Sequence, residues 1–208
     1  LFSKKIEENV SPETIVGLIG ELLLLKRLTA LSPDAVHTWF GPEKESHDFR
    51  CGNQAIEVKT SARRANNVVH ISSLEQLSGR PEGQLFLLHH TLERTEQGSL
   101  SVASLFDSIS AACREPELLK ARLSELECRD PHSKEWNWAT FIPVSEEFYS
   151  VGEEFPRLTR RHLAAQDIPK AILDVQYSLD LSQASDFRMR EDECDAMLKE
   201  FISCLPRD

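Results

Sequence analysis

The strongest constraint on the fold lies between residues 48 and 59, which read Asp-Phe-Arg-Cys-Gly-Asn-Gln-Ala-Ile-Glu-Val-Lys. Gly52-Asn53 joins two segments with strand character, His47–Cys51 and Gln54–Thr60. A two-residue connection of this kind specifies a tight hairpin. It also sets the register: Cys51 faces Gln54, Arg50 faces Ala55, Phe49 faces Ile56 and Asp48 faces Glu57. Directly opposed side chains share a face, with Cβ atoms about 4.5–5.5 Å apart. Lys59 lies two residues beyond Glu57 and shares its face, while Phe49, Ile56 and Val58 take the other and can fill a core. Opposed carboxylates destabilise a sheet unless positive charge lies between them. A divalent cation meets that need, and carboxylate oxygens suit Mg²⁺ or Mn²⁺. Lys59 adds a cation able to orient or deprotonate water, or to steady charge on a phosphate.

The surrounding pattern alternates helix and strand. Ser11-Pro12-Glu13 reads as a helix start, and the helix runs to about Leu28 with Ile15, Leu18, Ile19, Leu22 and Leu25 on its apolar side. Glu21 stands beside that stripe, where an acid without a partner is costly to bury. If the stripe packs on the sheet, Glu21 reaches the hairpin acids, and Gly17 and Gly20 allow the close approach. Val36–Phe40 reads as a strand ended by Gly41-Pro42. Val68–Ser72 is a further strand, and Ser73 opens a short helix through Leu77. Gln84–Leu92 is apolar enough for a central strand. Ser101–Cys113 and Pro116–Cys128 read as helices, Thr140–Val144 and Glu147–Val151 as a second hairpin, Ala171–Leu181 as a strand and Asp192–Cys204 as a closing amphipathic helix. This order predicts an α/β fold with a mixed sheet flanked by helices. At 208 residues, one domain is expected, with a core over about 11–95 and an extension over about 96–208.

The net charge of −10 is unevenly spread: residues 1–100 carry 11 Lys/Arg against 13 Asp/Glu, and residues 101–208 carry 13 against 21. Such a chain should hold free DNA weakly. Its five cysteines, Cys51, Cys113, Cys128, Cys194 and Cys204, are odd in number and form no CxxC pair. A disulfide framework and a zinc site are therefore not expected; reduced thiols in the cytoplasm are. No apolar run is long enough for a membrane span, and no secretory signal is visible. The chain begins at Leu1 and not at Met, which leaves open whether an upstream region is missing.

Asp48, eight intervening residues and Glu57-Val58-Lys59, preceded by a helix bearing Glu21, resembles the PD-(D/E)XK nuclease core, with His47 where the motif has proline. The resemblance implies a restriction-endonuclease-like fold. It implies Asp48 and Glu57 as metal ligands with the Val58 carbonyl as a third, Lys59 as the catalytic lysine and Glu21 as the acid of the first helix. It continues through Ser72-Ser73-Leu74-Glu75-Gln76-Leu77, Phe155-Pro156-Arg157-Leu158-Thr159 and Asp174-Val175-Gln176-Tyr177-Ser178-Leu179. These segments look like a bacterial family labelled "PD-(D/E)XK motif protein", found beside DNA methyltransferases and helicase-like ATPases in phage-defence clusters. The function implied is a Mg²⁺- or Mn²⁺-dependent DNA endonuclease of phage restriction.

Several residues carry two readings. Gln76 is a contact to the scissile phosphate or to a metal-bound water, or else a helix-surface amide. Arg63 and Arg64 follow the catalytic strand and Arg50 shares the site face, so all three could meet a phosphate backbone; each could equally be a solvated charge. His70 reads as a partly buried structural histidine, and one of His89 and His90 as core-facing. Trp136 and Trp138 could stack on bases, but packing against the domain is the plainer expectation. Arg160-Arg161-His162 could touch DNA or a partner, or lie in solvent. One rival function is a non-catalytic assembly subunit that binds a helicase-like ATPase or methyltransferase partner; a homodimer is also open. Another is a nuclease for RNA or a branched junction.

Overall fold

The structure, a computed structural model, describes residues 10–41, 46–62, 67–79, 83–164 and 174–205. The Ser11 hydroxyl accepts the Thr14 N–H at 3.1 Å, satisfying one free donor of the first turn. Helix α1 follows as Pro12–Thr29, and β1, Phe49–Cys51, forms a hairpin with β2, Gln54–Ser61. The register is the one read from the Gly52-Asn53 turn: Phe49 opposite Ile56, Arg50 opposite Ala55 and Cys51 opposite Gln54. Gly52 sits at φ +59°, in the left-handed region that the turn requires.

A short strand β3, Val68–Ile71, and a 3₁₀ turn, Leu74–Leu77, lead into the long strand β4, Gln84–Arg94. Helices α2, Val102–Ala112, and α3, Pro116–Glu125, come next, then β5, Phe141–Ser150. The chain continues through a short α4, Arg160–Ala164, strand β6, Tyr177–Asp180, a 3₁₀ segment Leu181–Phe187, helix α5, Glu191–Phe201, and a last 3₁₀ turn Ile202–Cys204. The sheet order is β1-β2-β4-β5, with β2 and β4 parallel and the outer pairs antiparallel. The sheet is therefore mixed, as expected. Strands β3 and β6 form a separate antiparallel ribbon.

Each face of the sheet has its own core. Ile56, Val58, Phe86, Leu88 and Leu92 bury one face together with α1, α2, α3 and α5. Ala55, Leu85 and Leu87 bury the other with Val69, Ile71, Leu77, Phe155 and Leu179 from the ribbon side. Burial on both faces explains the unbroken Leu85-Phe86-Leu87-Leu88 run. Glu57 and Lys59 alternate with Ile56 and Val58, so they lie on the ribbon side. Close helix–sheet approach rests on Gly20, where an added Cβ would collide with the Thr60 side chain, and not on Gly17, which has open space.

Five expectations need correction. Residues 36–40 are not a strand: Ala35–Thr38 is a 3₁₀ turn, and Trp39 makes a single bridge to Phe49. The buried residues there, Ala35, Val36, Thr38 and Trp39, fall in adjacent pairs rather than at alternate positions. The expected second hairpin is one continuous strand, β5, because the full length of β4 is available to pair with it and Ser145-Glu146 offers no turn chemistry. The thiols are not all free: Cys51 is bonded to Cys204 across a separation of 153 residues, leaving Cys113, Cys128 and Cys194. Burial of Cys194, Met197, Leu198 and Phe201 docks α5 and carries Cys204 to the hairpin. Nothing local in the sequence encodes that meeting. His70 is exposed, not partly buried. His89 and His90 are both buried, and Trp136 packs in the core as expected. Of the strand expected at 171–181, only Tyr177–Asp180 is one, and residues 171–173 lie outside the described residues. Among the described residues, no helix is long and apolar enough to cross a membrane.

Candidate active site

The β1–β2 ladder stops at Phe49, one step before Asp48 meets Glu57. There the Asp48 carboxylate turns to the neighbouring strand, its Oδ2 accepting the Val58 N–H at 2.7 Å. Its own carbonyl accepts the N–H groups of Phe40 at 2.7 Å and Gly41 at 3.0 Å. These bonds tie the 39–41 segment to the start of β1 and carry Trp39 and Gly41 to the site.

Trp39 is fully buried. Its indole N–H donates to Glu21 Oε2 at 2.7 Å, which holds the α1 acid in place. Gly41 completes the cradle, because a Cβ there would collide with the Glu21 carboxylate. Sequence reasoning found Glu21 but missed Trp39 and Gly41. The available signal was chemical: an acid beside an apolar stripe needs a donor, and a buried indole N–H needs an acceptor.

Lys59 Nζ lies 2.9 Å from Glu57 Oε1 and donates to Gln76 Oε1 at 3.0 Å. The same Gln76 oxygen accepts the Ser72 N–H at 2.8 Å and the Ser72 hydroxyl at 3.1 Å. Gln76 is therefore a holder of Lys59 in this conformation.

The electrostatics mark the site. Burial, then the negative charge of Asp48, raises Glu21 to a pKa of about 8, against the pull of Trp39 and Lys59. Burial raises Asp48 to about 6, opposed by the Val58 N–H and Lys59. Glu57 is pushed well above the usual carboxylate range by burial and by Asp48, with Glu21 adding to it and Lys59 opposing. Three carboxyl groups that each resist ionisation make a strong local demand for positive charge, of the kind a divalent cation meets. Among the described residues, no three His, Cys, Asp or Glu side chains are gathered as a ready metal cage. A set of two carboxylates and a main-chain carbonyl does not require one, and hard oxygen donors suit Mg²⁺ or Mn²⁺.

The remaining expected residues divide. Val58 is buried in the core, with its N–H on Asp48. Arg50 stacks its guanidinium 4.4 Å from the Phe40 ring centroid, and Arg122 lies over the same ring at 5.0 Å. Arg63 and Arg64 lie outside the described residues.

The family model described as "Putative PD-(D/E)XK family member, (DUF4420)" matches residues 1–182. The chain belongs to this family. No curated protein and no solved structure matches it. The family match takes in every candidate site residue described above and ends before α5 and Cys204. The mixed sheet flanked by helices agrees with the restriction-endonuclease-like fold that the family implies.

Proposed function

We propose that this chain is a Mg²⁺- or Mn²⁺-dependent nuclease that hydrolyses phosphodiester bonds in DNA. The observation that carries the reading is the cluster of Glu21, Asp48 and Glu57, each with its pKa raised, beside Lys59. Clustered acids withdrawn from water, here Glu57 buried and Glu21 and Asp48 half-buried, are costly to a fold and are commonly retained for chemistry. Asp48, Glu57 and the Val58 carbonyl would hold the cation. The bound metal would supply Lewis acidity toward the phosphate and lower the pKa of a water. Lys59 would stabilise charge on the phosphate oxygens and help orient the attacking water. Glu21, resting on Trp39, would hold or accept a proton at its Oε1 or Oε2. Gln76 would keep the Lys59 ammonium aimed at the reacting phosphate. Arg50, Arg63 and Arg64 would meet the DNA backbone.

The excess of 21 acids over 13 bases in residues 101–208 favours help in gripping DNA. A helicase-like ATPase, a methyltransferase or a second copy would supply it, in cytoplasmic restriction of phage DNA. In that compartment the Cys51–Cys204 pair would be held as thiols. The same acidic surface favours a second reading, a non-catalytic assembly subunit. A panel of plasmid, linear and single-stranded DNA and RNA, each with Mg²⁺, Mn²⁺ or EDTA, separates the two. Metal-dependent nicking of plasmid supports the nuclease. Absence of cleavage with every metal and substrate, alone and with partner proteins, leaves the assembly role.

A further inference from the structure

Three segments far apart in sequence meet at the Leu74–Leu77 turn. The first is the turn itself, with Ser72 and Gln76 gathered on Lys59. The second is the stretch after Phe155. Phe155 is buried, with edge-on ring contacts to Phe187 and Tyr149. From that anchor, Arg157 Nη1 donates to the Leu77 carbonyl, and the Arg160 guanidinium donates to Glu75 Oε1. The third is β6, where the Tyr177 hydroxyl accepts the Leu158 N–H at 3.3 Å.

The contacts alternate along the turn. Glu75 and Leu77 are taken by the 155–160 strap, and Gln76, between them, is taken by Lys59 and Ser72. The two anchors are not equal. The Arg160–Glu75 pair is largely exposed, and such pairs contribute little. Arg157 is partly buried and serves a terminal carbonyl next to the fully buried Leu77. Such a carbonyl has no partner within its own turn, so a charged donor there sets where the turn sits.

We infer that Arg157 is a positioning residue for Lys59, acting through the Leu77 carbonyl and Gln76. The inference takes its catalytic meaning from the nuclease reading, but its first test does not need cleavage. Lys59 modification by an amine-reactive reagent is followed by peptide mass spectrometry, with exposed Lys120 on α3 as internal control. Gln76→Ala should speed Lys59 modification several-fold. Arg157→Met should speed it to the same extent, Arg157→Lys should stay near wild type, and the Arg157→Met/Gln76→Ala double variant should be no faster than Gln76→Ala alone. Tyr177→Phe, which removes the acceptor for Leu158, should act in the same direction more weakly and serves if Arg157→Met does not fold.

In cleavage assays, Arg157→Met should lower kcat by about 10- to 100-fold with KM for DNA unchanged, the signature of a misplaced group. The proposal is overturned if Gln76→Ala leaves Lys59 no more reactive. It is also overturned if Gln76→Ala exposes Lys59 but folded Arg157→Met or Tyr177→Phe does not, or if the double variant multiplies the two effects. If wild type cuts nothing with any metal or substrate, alone or with partner proteins, the nuclease reading falls and the labelling still decides the role of Arg157.

Discussion

Replacing Glu21 with glutamine isolates the electrostatic cost of the acid cluster. In the metal-free protein, burial and the charge of Asp48 raise the Glu21 pKa to about 8, whereas in the unfolded chain the carboxyl loses its proton near its ordinary value of 4.5. The folded state therefore binds more protons across that interval, and stability must fall as pH rises through it. Between pH 6.5 and 8, one group of this kind contributes a loss on the order of 1–2 kcal/mol, at about 1.4 kcal/mol per pKa unit. Glu57, also raised, adds loss of the same sign. His89 and His90 have lowered pKa values, so their protonation in the unfolded chain matters mainly below this window. Urea unfolding in EDTA at pH 6.5 and 8 reads the difference. Wild type should lose stability across the interval, the two histidines offsetting only part of the loss near pH 6.5. Glu21→Gln should lose clearly less, by on the order of 1–2 kcal/mol, because it has no proton to release there. Saturating Mn²⁺ should stabilise wild type more at pH 8 than at pH 6.5, since binding releases the held protons. Equal pH dependence in the two proteins would refute the reasoning.

Other perturbations test separate parts. Gly20→Ala should destabilise by about 1–3 kcal/mol through overpacking against Thr60, whereas Gly17→Ala should be neutral or gain up to about 1 kcal/mol, both read by urea midpoint. After oxidation in air, alkylation of the unfolded protein should mark the three cysteines Cys113, Cys128 and Cys194, and all five after reduction. In the oxidised protein, Cys204→Ser should cost up to about 5 kcal/mol, the chain-entropy value for so long a loop. Binding to bare duplex DNA should be weak and fall steeply with salt; tight binding at high salt would contradict a phosphate-dominated contact.

The hairpin was the most legible part of the sequence. Gly52-Asn53 sets a register without knowledge of the rest of the fold, so Phe49, Arg50 and Cys51 find their expected partners. The helix start at Ser11-Pro12 and the apolar β4 run were legible for the same local reasons. Long-range meetings were not. The Trp39 indole reaches Glu21 only because residues 35–38 coil into a 3₁₀ turn, and their apolar content fits a strand as readily. Cys51 and Cys204 meet only after α5 docks. The Arg157 strap depends on a ribbon joining β3 to β6, more than 100 residues apart in the chain.

Calorimetric Mn²⁺ titration beside plasmid cleavage, for wild type, Lys59→Ala and Asp48→Ala, tests the central claim most directly. Lys59→Ala should bind Mn²⁺ about as wild type does and lose about 10²–10³ in cleavage rate, because its charge acts in the transition state. Asp48→Ala should lose both, since it removes a ligand as well as an acid of the cluster. A Lys59→Ala protein that cuts DNA as fast as wild type would show that the β1–β2 hairpin is not the active site.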